Sequence, residues 1–185
     1  MAKTARNMAG VVMAGAMLMA PRPVAAADVA TTVSAADHDH HVRSSNTAIV
    51  ALIEQASERS ATFRHLLDTL NASDSMVYVE QGDCPHGVRS CFTSVTIAGS
   101  RRVMWVKVDT RKADWDLMGS IGHELRHTIE VLGSPTVTSN SAMYFFYATN
   151  ASRGGSKAFE TQAAIDAGTA VRREARAAAR QAKAE

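Results

Sequence analysis

The sequence predicts an α+β fold, with helices at both ends, a three-stranded antiparallel sheet between them, and a central helix that carries the chemistry. Three observations support this. Apolar residues recur at helical spacing over 46–70 and again over 117–132. Between those stretches lie three short runs in which apolar and polar residues alternate, as they do in half-buried strands. What remains after an expected leader is the length of one domain with a single core, and no internal repeat divides it.

The leader comes first. Lys3 and Arg6 precede an apolar run from Met8 to Ala20, and Val24-Ala25-Ala26-Ala27 supplies small residues for cleavage after Ala27. This reads as a secretory signal peptide over 1–27, too short for an ordinary membrane span. Its removal takes away Lys3, Arg6 and Arg22 and moves the formal charge from +2 to −1. The basic balance of the full chain is therefore no argument for nucleic acid, and the mature protein is expected outside the cytoplasm, periplasmic or extracellular, with no stable membrane insertion. Cys84 and Cys91, close together in an exported chain, favour a disulfide over a thiolate metal site with His86.

Residues 28–45 are polar and Ala-rich, and they read as a disordered lead-in. His38, His40 and His41 cluster there, either as a loose metal-binding tract or, more simply, as part of a solvated tail. A single domain then spans 46–180. Ile49, Val50, Leu52, Ile53 and Ala56 mark a first helix. Ser60 caps a second helix bearing Phe63, Leu66, Leu67 and Leu70, on which His65 is an ordinary half-buried residue. Met76–Glu80, Phe92–Ala98 and Val103–Val108 are the three strands, the last two joined at Gly99-Ser100.

The central helix contains His123-Glu124-Leu125-Arg126-His127. Residues four apart share a helix face about 6 Å apart along the axis. Both imidazoles can therefore reach one metal ion at about 2.0–2.1 Å. Glu124, turned about 100° from His123, can reach a metal-bound water without itself being a ligand. Leu117, Met118, Ile121, Leu125, Ile129, Val131 and Leu132 give the helix a buried side, and Gly133 followed by Ser134-Pro135 ends it. The Glu124-x-x-His127 half of a di-iron site has no second copy in the chain, which excludes that arrangement.

Catalytic zinc takes three protein ligands. Glu130 shares the motif face but stands about 10 Å along the axis from His123, which suits a supporting role. Asp166 is short and lies well inside the last helix, whereas Glu160, near the start of that helix beyond a long loop, is the expected third ligand. Ala142–Tyr147 is an aromatic cluster on a short helix. Tyr144 or Tyr147 could supply a phenol to an oxyanion, and Tyr147 is the expected donor, although packing is the ordinary role of such a residue. No G-x-S-x-G elbow supports a serine nucleophile, and no phosphate loop is present.

With these residues, Gly122–His127 and Phe159–Ala164 above all, the chain resembles a zincin metallopeptidase of the gluzincin kind. It also resembles short exported bacterial proteins that carry a G-H-E-L-x-H helix and a later F/Y-E-T-x-A-A segment. The resemblance spans about residues 46–175. It implies a zincin-like fold with His123, His127 and Glu160 as Zn2+ ligands and Glu124 as general base and later proton donor. It also implies a peptide or protein substrate aligned by an edge strand, expected to be Val103–Val108. Two positions depart from the pattern. Arg126 stands between Glu124 and the second His, and Ala164 occupies the place of an acid that often orients a ligand His, leaving that task to Glu130, Asp166 or a carbonyl. The same ligands would also serve a non-catalytic zinc-binding protein.

Overall fold

The computed structural model describes residues 40–150 and 159–184, all within one compact unit that spans Ser34–Glu185. The expected signal peptide, most of the lead-in with His38, and most of the Gly-rich loop before Phe159 lie outside the described residues.

The first element among the described residues is a two-residue strand β1 (Val42–Arg43), where the sequence suggests only a solvated lead-in. It forms because Val42 is buried and because the segment is tied down on both sides. His41 N–H donates to Asn71 Oδ1 and Val77 N–H to the His41 carbonyl. The His41 ring turns its Nδ1 to the Leu70 carbonyl, 3.0 Å away.

Helix α1 (Thr47–Arg59) starts at Asn46, whose side chain accepts from Ala48 and Ile49 N–H. Helix α2 (Ala61–Asn71) starts at the fully buried Ser60, which accepts from Phe63 N–H. Glu174 completes that cap from a distant helix, accepting from the Ser60 hydroxyl, Thr62 N–H and the Thr62 hydroxyl at 2.7–3.0 Å. His65 on α2 is exposed rather than half-buried.

Strands β2 (Ser75–Gln81), β3 (Ser90–Ala98) and β4 (Arg101–Val108) follow. The sheet is not three-stranded and antiparallel. It has four strands in the order β1-β2-β4-β3, with β1 parallel to β2, β2 parallel to β4, and only β3 and β4 antiparallel. After β2 the chain crosses to the far edge as β3, turns at Gly99 (φ +62°), and comes back as β4 between the two. Alternation specifies which face of a strand is buried, but says nothing about its neighbours. Val103–Val108, expected as the edge, is therefore an inner strand, and β3 is the edge on its side of the sheet.

Val77, Val79, Met104, Val106 and Val108 are fully buried between the sheet and the helices. On the open face the Tyr78 and Trp105 rings stack with centroids 5.9 Å apart. Cys84 and Cys91 form a disulfide, Cα–Cα 5.9 Å, that ties the loop after β2 to β3. Both cysteines are spent there, so a thiolate site with His86 is not formed.

Helix α3 (Trp115–Leu132) begins at Asp114, which accepts from Leu117 N–H. It packs against β3, β4 and the helices around it. Gly133 is its C-cap, but with φ −64° rather than a left-handed conformation. Arg102 of β4 adds to the backbone donors at this end, its guanidinium donating to the Val131, Leu132 and Ser134 carbonyls at 2.9–3.0 Å, while Ser134 N–H and Val137 N–H also serve Val131 and Ser134. Helix α4 (Asn140–Asn150) carries the aromatic cluster, and α5 (Gln162–Gln181) packs along α3.

Candidate metal centre

The close approach of α5 to α3 depends on glycine. A Cβ on Gly168 would stand 2.9 Å from both the Gly119 carbonyl and the His123 Cβ, and one on Gly122 would stand 2.8 Å from Val171 Cγ2. The missing side chains let the two backbones meet, and they bring the start of α5 over the motif turn. Glu160 lies just before that helix, not on it as the sequence suggests. The cap is Thr161, which accepts from Ala164 N–H. Phe159, immediately upstream, has φ +88°, a conformation that costs a non-glycine residue on the order of 1–3 kcal/mol and persists only where its surroundings enforce it. Its ring packs near Tyr144 and Tyr147, centroids 5.2 and 6.5 Å away.

This geometry brings His123, His127 and Glu160 together, with one ligand atom from each inside 4.8 Å of the others. His123 Nε2 is 3.1 Å from His127 Nε2 and 3.0 Å from Glu160 Oε2. Ligand atoms arranged tetrahedrally around a small divalent cation at about 2.0–2.1 Å stand about 3.3 Å apart, close to what is seen. The hydrogen-bond partners agree. His127 Nδ1 faces Glu130 Oε2 at 3.0 Å, and Glu130 also accepts from the Thr161 hydroxyl at 2.6 Å. Burial opposes ionisation of Glu130, but the bonds to His127 and Thr161 and the charge of Arg126 outweigh it and lower its pKa. An ionised Glu130 can only accept at Nδ1, so the tautomer with Nδ1–H is favoured and the Nε2 lone pair is turned to His123 Nε2. At His123 burial works against a positive charge, yet Glu160 and Glu124 raise its pKa. The centre is an acidic pocket that favours a cation. The three residues are competent to hold a metal ion.

Glu124 is buried, and strand β3 anchors both its oxygens. Oε1 accepts from the Ser90 hydroxyl and Oε2 from Phe92 N–H, each at 2.8 Å. Phe92 sits at a register shift where Thr93 bulges out of the β3–β4 ladder. The irregularity turns a main-chain donor toward the motif helix. Tyr147, expected as a phenol donor, is buried, with its ring edge-on to His127 at 5.0 Å. Its hydroxyl donates to the His127 carbonyl at 2.8 Å, and burial raises its pKa. Asp166 bonds Gln162 on the exposed side of α5, away from the site.

A cavity of about 370 Å³ opens beside these groups, lined by His123, Glu124, His127 and Glu160 together with Val88, Phe92, Met143, Tyr144 and Phe159. Ser90, Asn140 and Thr161 were not singled out from sequence. Thr161 was legible as a cap, since a Thr ahead of an Ala-rich helical run is a start signal, whereas nothing local marks Ser90 or Asn140. No family model matches the chain, and no curated protein or solved structure matches it.

Proposed function

We propose that this chain is an exported zinc-dependent peptidase. The observation that carries the reading is the convergence of His123 Nε2, His127 Nε2 and Glu160 Oε2 beside Glu124 in one cavity. Two imidazoles and a carboxylate are the donor set of hydrolytic zinc sites. A zinc ion held there would polarise a substrate carbonyl and acidify a water. Glu124 acts as general base. Each carboxylate oxygen has lone pairs beyond the one given to Ser90 or Phe92, so the β3 anchors aim the group without exhausting it. Glu130 and Thr161 hold His127 in its ligating tautomer. Burial of Glu124 and His127 keeps competing water from the reacting groups. Export is supported by the disulfide, and among the described residues no helix is long and apolar enough to cross a membrane.

A second reading is favoured by one observation. The Thr161–Glu130–His127 chain links the cap of α5 to the metal ligands, so the same ion would staple α5 to α3 without any catalysis. Metal analysis and peptide hydrolysis by the wild type and Glu124→Gln separate the two. The peptidase reading expects one zinc per chain in both proteins and a rate about 10²–10⁴-fold lower in the variant. Zinc in both with hydrolysis in neither leaves the staple. Absence of bound zinc in the wild type overturns both readings.

A further inference from the structure

A peptide entering the cavity needs donors for its carbonyl oxygens, and most of the donors there are committed. Phe92 N–H goes to Glu124, and the Ser90 hydroxyl lies within reach of Glu124 and the Ser120 carbonyl. Tyr147 gives its proton to the His127 carbonyl. Val95 N–H donates to Asn140 Oδ1 at 2.9 Å. At Phe92 and Val95 the edge of β3 is therefore closed to an added strand, the ordinary way an extended peptide pairs with a sheet.

Among the described residues lining the cavity, two side-chain donors remain, the Asn140 carboxamide and the Tyr144 phenol. The amide orientation at Asn140 is decided by its partner. Val95 N–H can only donate, so the Asn140 oxygen must face β3, and the NH2 group with its two donors is left on the other side. Asn140 is exposed at the first turn of α4, where a ligand can reach it. Tyr144 is 57% exposed, with its ring against Phe145 and Phe159.

We infer that Asn140 is a substrate-binding residue, its Nδ2 donating to a main-chain carbonyl of a peptide laid across the cavity in place of the closed strand edge. The inference rests on the peptidase reading. One side chain thus has two roles, since its oxygen straps α4 to β3 while its nitrogen holds the substrate.

The test is calorimetric binding of an acetylated, amidated apolar tetrapeptide to the zinc-loaded Glu124→Gln protein, in which turnover does not intervene. In that background Asn140→Asp keeps an oxygen for Val95 N–H and loses the donor, whereas Asn140→Ala loses both. Both are expected to bind about tenfold more weakly, the scale of one hydrogen bond. Zinc content should hold in each, and the melting temperature should fall only in Asn140→Ala. Tyr144→Phe should bind like the parent. A loss confined to Asn140→Ala means a strap alone, and a loss confined to Asn140→Asp means a charge effect. Either outcome overturns the inference, as do unchanged affinity in both, a loss in Tyr144→Phe instead, and no measurable peptide binding by the parent. If both Asn140 variants bind weakly but the wild type hydrolyses no peptide, the donor stands and the peptidase reading falls.

Discussion

The His127 ring is fixed on three sides: Glu130 at Nδ1, His123 at Nε2, and the edge-on Tyr147 ring 5.0 Å from its centroid. Only the Glu130 contact decides the tautomer, so that contact should govern metal affinity. Glu130→Gln keeps the shape but weakens the pull on the Nδ1 proton. Zinc affinity measured against a competing chelator is expected to fall about 10–100-fold, the usual cost of losing a group that orients a ligand. An unchanged affinity would mean that the ring is held by packing alone. Sequence spacing places Glu130 better as a supporting group than as a direct ligand, and in the structure it is Glu130, of the three candidates for that task, that meets His127 Nδ1. Asp166, another of the three, bonds within its own helix instead.

At the scale of elements, α3 is held by groups from elsewhere in the chain. Arg102 reaches three carbonyls at its C-terminal end with a side chain that is 12% exposed. Arg102→Ala would take the side-chain donor from the Leu132 carbonyl and leave the Val131 and Ser134 carbonyls with only the Ser134 and Val137 N–H groups. The expected loss is about 1.5–3 kcal/mol, the range for hydrogen bonds to a charged group, measured by denaturant unfolding. A change within error would show that solvent caps the helix equally well. The α3–α5 contact gives a second prediction. Gly168→Val places carbon against the Gly119 carbonyl and His123 Cβ, where even a Cβ would come within 2.9 Å. Overpacking of this kind costs about 1–3 kcal/mol. Because the clash bears on His123 itself, zinc affinity should fall along with stability. Lost stability with intact zinc affinity would show that α5 shifts as a whole and leaves the ligands in place.

At the scale of the molecule, acid should loosen the fold through Asp114, the cap of α3. Burial raises its pKa, but Lys112, Arg89 and Leu117 N–H together lower it from 3.8 to about 2. A carboxylate depressed by folding stabilises the protein above its ordinary pKa, and that contribution fades as pH falls from about 4 towards 2. Asn at this position can still cap the helix but carries no charge. The stability gap between the wild type and Asp114→Asn, read by denaturant unfolding, should therefore be full at pH 6 and narrower at pH 3. A gap independent of pH would remove the charge from the account.

The sequence by itself determined the helices, the buried face of the inner strands and the His-Glu-x-x-His turn. Each of these depends on residues within a few positions of one another, whose periodicity and caps can be read locally. It did not determine the strand order, because the alternation in 103–108 is the same whether that segment lies at an edge or between neighbours. Nor did it show that Ser90 and Phe92 anchor Glu124, or that Asn140 closes the strand beside it. The Glu124 and Asn140 pairings join residues 32 to 45 positions apart. Only tertiary packing decides them, because distance in the folded chain is set by how α3, α4 and β3 meet, and local pattern carries no record of it.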